Sequence, residues 1–110
     1  MIRLVFVLRR KKHLSLAEFH DYWLHQHGPL VASFANDLNI LRYVQTHTME
    51  DPANAAMQAA RGEMEPQYDG VAELWWATED EFAAASAACN CLTCLGSNWA
   101  IDISWIIKSF

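Results

Sequence analysis

The stretch "IRLVFVLRRKKHLSLAEFHDYWLHQHGPL", Ile2 to Leu30, changes its repeat partway along. Residues 2–9 alternate imperfectly and are rich in Val, Ile, Leu and Phe, the pattern of a buried strand. Ile2, Leu4, Phe6 and Leu8 fall on one face, and Arg3, Val5, Val7 and Arg9 on the other. Ser15 and Glu18 then stand at capping-box spacing, so Ser15 caps a helix while Glu18 reaches back. That helix is expected from about Leu16 to Gln26, with Gly28-Pro29 interrupting it. Leu16, Phe19, His20, Trp23 and His27 share its inner face.

Outward from there, a short helical turn is expected over Leu30–Asp37. "LRYVQTH", Leu41–His47, reads as a second strand and "YDGVAELWW", Tyr68–Trp76, as a third. Residues 48–67 are long for a plain loop, which often signals function or mobility, and "NAAMQAARGEME" within them can be helical. Thr78 and Glu81 repeat the capping-box spacing and open a second long helix. "CNCLTCLGSNWA" reads as a short helix and turn, and Ile101–Ser109 as the last strand. A βαββαβ chain of this kind folds as one α+β domain spanning residues 1–110: a ferredoxin-like antiparallel sheet with helices on one face.

Composition narrows the partners. A formal net charge of -5 argues against nucleic acid, whose phosphates require a basic face. The basic run "RRKK", Arg9–Lys12, is read as a solvated turn, with an anion site as the minor alternative. No apolar run reaches membrane-spanning length, and the N-terminus lacks a cleavage-site pattern, so a cytoplasmic protein with reduced thiols is expected. Five tryptophans are many for one small core, so some should meet a ligand cavity or a second subunit. Val5, Val7, Val71 and Trp75 share the sheet face away from the helices with Arg3, Arg9, Asp69 and Glu73. That mixture suggests a homodimer through the open face, with Arg3 meeting Glu73 and Arg9 meeting Asp69; a solvated face with surface ion pairs is the alternative.

The strings "LVFVLRR…LSLAEFHDYWLHQHGPLV", "LRYVQTH" and "YDGVAELWW" together resemble the EthD domain of the dimeric α+β barrel superfamily, clearly over roughly residues 2–82. The resemblance implies a ferredoxin-like protomer, a homodimer whose sheets pack face to face, and a pocket between sheet and helices. It further implies relatives among muconolactone isomerases, polyketide cyclases and decarboxylases, and cofactor-free monooxygenases; EthD itself is tied by association to alkyl-ether degradation beside an oxidative system. Where the family often carries an acidic pair before its final F-I-D, this chain has Ser97 and Asn98, so no role for such acids carries over.

His27 matches the histidine of the family's "HGPL" and is the candidate catalytic acid or base, with an ordinary pKa of about 6.5. The alternative is that it seals the helix end by bonding a free carbonyl. His25 has an outward phase, and His20 reads as a satisfied core histidine. Gly70, Ala72, Leu74 and Trp76 should face the helices; small residues at 70 and 72 leave room beneath Trp23 and His27 for a flat apolar molecule, unless Trp23 itself fills it. Phe19, Trp23 and Trp76 are then cavity walls, and Tyr22 and Tyr43 candidate hydrogen-bonding helpers. Tyr43, Gln45 and His47 alternate on one face of the second strand, looking into either the pocket or an interface; parity does not choose, and the interface or surface reading is taken. Cys89, Cys91 and Cys94 lack a nearby fourth metal ligand and read as thiols, and the histidine spacings do not fit helical zinc ligation.

No phosphate loop, dinucleotide motif or Ser-His-Asp order is present, so no cofactor and no metal are called for. The expected function is a small cofactor-independent enzyme acting on an apolar oxygenated aromatic or cyclic metabolite by proton transfer. Isomerisation, cyclisation and decarboxylation are the reaction types considered. The alternatives are a non-catalytic binding or accessory protein for an oxidative system, and a cofactor-free monooxygenase.

Overall fold

Strand β1, Ile2–Arg10, forms because Ile2, Leu4, Phe6 and Leu8 alternate along it and bury against the helices. The computed structural model describes residues 1–62 and 64–88 and the backbone of 101–109. The remaining elements are α1 (Leu16–Tyr22), a π-helical segment (Trp23–His27), α2 (Gly28–Phe34), β2 (Arg42–His47), α3 (Pro52–Arg61), β3 (Gly70–Trp76), α4 (Glu79–Ala88) and β4 (Ile101–Ser109). The antiparallel sheet runs β2-β3-β1-β4, the order expected of a ferredoxin-like βαββαβ chain. Cys89, Cys91, Cys94, Ser97 and Asn98 lie outside the described residues. No described helix is long and apolar enough to cross a membrane.

Register decides which side chains share a face. Leu4 pairs with Leu74, Phe6 with Ala72 and Leu8 with Gly70, so the core face of β1 meets the expected core face of β3. On the other side of β3, Tyr43 pairs with Leu74, Gln45 with Ala72 and His47 with Gly70. Directly opposed residues point the same way, so the polar ladder of β2 faces the helices. This corrects the interface or surface expectation for Tyr43 and His47.

Phe19, Trp23 and Trp76 are fully buried and anchor a core that includes Ile2, Leu4 and Val31. The capping box forms as its spacing predicts: Glu18 N–H donates to Ser15 Oγ at 3.1 Å, and Ser15 N–H to Glu18 Oε2 at 3.4 Å. The break expected at Gly28-Pro29 does not occur. Pro29 has no N–H for a regular i→i−4 bond, and the chain widens into π geometry just before it, with Gly28 N–H donating to Trp23 O. Helical course then resumes as α2 through Phe34, with Pro29 in the first turn, where a missing N–H costs little.

Arg3 and Glu73 form the expected ion pair at 3.5 Å. Arg9 does not meet Asp69: it donates to Pro66 O at 3.0 Å and lies over the Tyr68 ring. Asp69 sits in the bend just before β3, and its buried carboxylate accepts from the backbone N–H and the guanidinium of Arg10, both at 2.7 Å. The residues 48–67 do contain a helix, α3, capped by Asp51, whose carboxylate accepts from Ala53 N–H at 2.7 Å.

Candidate functional site

The room left by Gly70 is already taken. A Cβ placed there would lie 2.4 Å from Trp23 Cζ3 and 3.0 Å from Thr46 O, so the small residue seats the Trp23 indole. The hollow expected beneath α1 and floored by Gly70 is therefore filled by protein. Ala72 is buried beside it. Trp76 also leaves the site: its N–H donates to Leu38 O at 2.8 Å and its ring meets Phe82 edge-on. It pairs with Ile2 at the opposite end of β3 from Gly70, about 20 Å along the strand at ~3.3 Å per residue. Phe19 stacks on Trp23 inside the core, and Tyr22 packs half-buried against it.

A cleft of about 530 Å³ lies instead between β2 and the helical layer. Leu24, Gly28, Pro29 and Ala32 give it an apolar wall; Tyr43, Gln45 and His47 give it a polar floor. It is open to solvent, and its size suits a small ring compound. His27 is half-buried in the adjoining segment and does not line it. Burial holds the His27 pKa below its ordinary value of 6.5, so the ring is neutral at pH 7.

The floor is one connected hydrogen-bond chain. Gln45 Nε2 donates to Trp23 O at 2.8 Å and to the Tyr43 hydroxyl oxygen at 2.9 Å. His47 Nε2 lies 2.9 Å from Gln45 Oε1. Gly28 matters here, because a Cβ on it would stand 3.1 Å from Gln45 Nε2. The π segment matters too, since the carbonyl of its first residue, Trp23, is the one that accepts from Gln45.

His47 is held by its neighbours as well. Its ring stacks on Trp23 with centroids 4.6 Å apart, and the His20 ring lies at the same distance. Burial, then the neighbouring His20, lower the His47 pKa from 6.5. His20 Nε2–H donates to Asp69 O at 2.9 Å, as a satisfied structural histidine should. His25 is exposed, 3.8 Å from Asp21. Burial raises the Tyr43 pKa above 10.0, so the phenol is neutral; contacts with Gln45 and the Trp23 indole oppose that shift without reversing it. Trp23 Nε1 is buried with no hydrogen-bond partner within ordinary geometry among the described residues. His20 and His47 also border a second open cleft of about 600 Å³ that reaches Ser15 and Glu50. No metal-binding group of three or more such side chains exists among the described residues.

Gln45 and His47 line the cleft although the sequence reading takes neither as a site member; His47 is read there as interface or surface, and Gln45 only as part of the polar ladder. The signal of Gln45 is weak: one amide in an alternating strand, whose partner is a backbone carbonyl that no side-chain pattern reveals. Of the residues expected at the site, the structure brings only Tyr43 to the cleft; His27, Phe19, Tyr22, Trp23, Gly70, Ala72 and Trp76 lie behind it or away from it.

The family model described as the EthD domain matches residues 11–88 of the chain. Among solved structures, the chain is similar to the crystal structure of HapK from Hahella chejuensis. The two are 10% identical with a TM-score of 0.58, over 100% of this chain and 91% of that one, a likeness that shows the fold alone. No curated protein matches the chain.

Proposed function

We propose that this chain, which belongs to the EthD domain family, acts without a cofactor on a small apolar cyclic or aromatic compound bearing oxygen, by proton transfer. The observation that carries the reading is the polar floor of the cleft: a neutral histidine and a neutral phenol, joined through one amide, under an apolar wall. With Nε2–H engaged by Gln45, neutral His47 keeps Nδ1 as its basic nitrogen, and the lowered pKa keeps that nitrogen free of a proton at pH 7. Tyr43 offers the hydrogen bond that orients a substrate oxygen. The acid–base role that the sequence suggests for His27 moves to His47, because His47 lines the cleft and His27 does not. Phe19, Trp23, Gly70 and Ala72 position the floor. The protein is read as a single-domain cytoplasmic homodimer, paired through the sheet face that carries Val5, Val71 and Trp75.

The test is exchange of the α-carbon protons of 1-tetralone in heavy water, followed by proton NMR. Wild type should accelerate exchange, His47→Ala should lose about 10²-fold or more, and His27→Ala should keep its rate. An unchanged rate in His47→Ala sinks the mechanism. Binding with no exchange favours the non-catalytic carrier, and oxygen uptake favours the monooxygenase.

A further inference from the structure

The hydrogen-bond chain on the cleft floor has a direction, and its direction is forced. Trp23 O is a backbone carbonyl and can only accept, so the group of Gln45 that faces it is the NH₂. Both amide hydrogens are then used, one on Trp23 O and one on the Tyr43 oxygen. Gln45 Oε1 is left to accept from His47 Nε2–H. The Tyr43 oxygen receives the Gln45 hydrogen. What Tyr43 has left is its own proton, and among the described residues no acceptor takes it. Leu24, Gly28, Pro29 and Ala32 bring no polar side-chain atom to the cleft.

We infer that Tyr43 is a one-way donor toward the cleft, with Gln45 as the residue that sets its polarity, so that the site selects ligands presenting an acceptor oxygen — a ketone, quinone, ether or enolate — over hydrocarbons of the same shape. The inference rests on the reading that the cleft takes a small ring compound. It specifies what that ring must carry where it meets Tyr43. Gln45 acts through Tyr43 and is a positioning residue.

The experiment is equilibrium binding of 1-tetralone and of tetralin, the same bicycle without oxygen, to the full chain, read by tryptophan fluorescence. The ketone should bind roughly fivefold tighter, the worth of one neutral hydrogen bond. Tyr43→Phe should erase the preference and spare tetralin binding. Gln45→Glu should erase it too, because a carboxylate takes the Tyr43 proton for itself. The infrared carbonyl stretch of bound ¹³C-labelled tetralone adds a readout that packing alone does not move. It should fall in wild type and return in both variants. If Gln45→Glu does not fold, Tyr43→Phe carries the test, since it keeps the bond from Gln45 to Trp23. Equal binding of the two probes, no binding of the ketone, or an unshifted stretch overturns the assignment. Ketone preference without proton exchange would leave the donor standing and remove the catalysis; exchange without preference would do the reverse.

Discussion

At the residue scale, Gly70 lies where a strand position and a buried indole meet. Strand parity places it on the helical face and leads to the expectation of room for a ligand above it, with filling by Trp23 as the alternative. Parity fixes a direction and carries no volume, so the occupant, Trp23, was one of two outcomes open to the sequence. Gly70→Ala should therefore overpack a closed contact, because the indole it would strike is fully buried. The expected cost is about 1–3 kcal/mol, or more because Thr46 O blocks backbone relief, read as a lower urea midpoint. The histidines give a second residue-scale expectation. His27 and His47 both have folded pKa values below the ordinary 6.5. Below pH ~6.5 the unfolded chain takes up protons that the folded chain resists, so stability is full above that pH and falls as the solution is acidified toward the folded values. His27→Gln and His47→Gln should each flatten the decline in denaturant titrations run from pH 7.5 to 5; a decline just as steep in the double variant contradicts the assignment.

At the scale of elements, the strands and capped helices were legible because their signals are local: alternation, Ser15 with Glu18, Thr78 accepting from Glu81 N–H at 3.2 Å. Gly28-Pro29 reads as a helix end in the sequence because helix-ending chemistry and π-widening chemistry use the same residues. In the folded chain Trp23 O takes the Gly28 N–H and a second hydrogen bond from Gln45, which lies 22 positions away. The face of β2 was hidden for a related reason. Both of its faces mix polar and apolar residues, so only pairing with β3 orients it. Helix α3 differs from the others in having no buried residue, although its cap is sound. Its backbone bonds should open without disturbing the core. Amide exchange in α3 should run at least a hundredfold faster than in β1 and β3, by hydrogen-exchange mass spectrometry. Equal protection would mean that a partner covers it.

On the scale of the whole molecule, the order of elements limits the sheet, because uncrossed, right-handed connections leave few ways to assemble βαββαβ. The second sheet face is the open matter. Val5, Val7, Val44, Val71 and Trp75 are half-buried there, with Arg3 paired to Glu73 and the Arg42 guanidinium 5.0 Å from the Trp75 ring. For the proposed dimer, Trp75→Glu should place a charge among these apolar groups and shift sedimentation from dimer to monomer, while leaving the far-ultraviolet circular dichroism unchanged. A wild-type chain that sediments as a monomer at micromolar concentration removes the dimer.

Since β2 borders the sheet, with β3 its one neighbour among the described residues, Tyr43, Gln45 and His47 hang from a margin that a single inserted residue could re-register. Such an insertion would turn all three outward together and bring Arg42, Val44 and Thr46 under the helices. Whatever chemistry the cleft supports would vanish at one stroke, with every one of its atoms still in the chain.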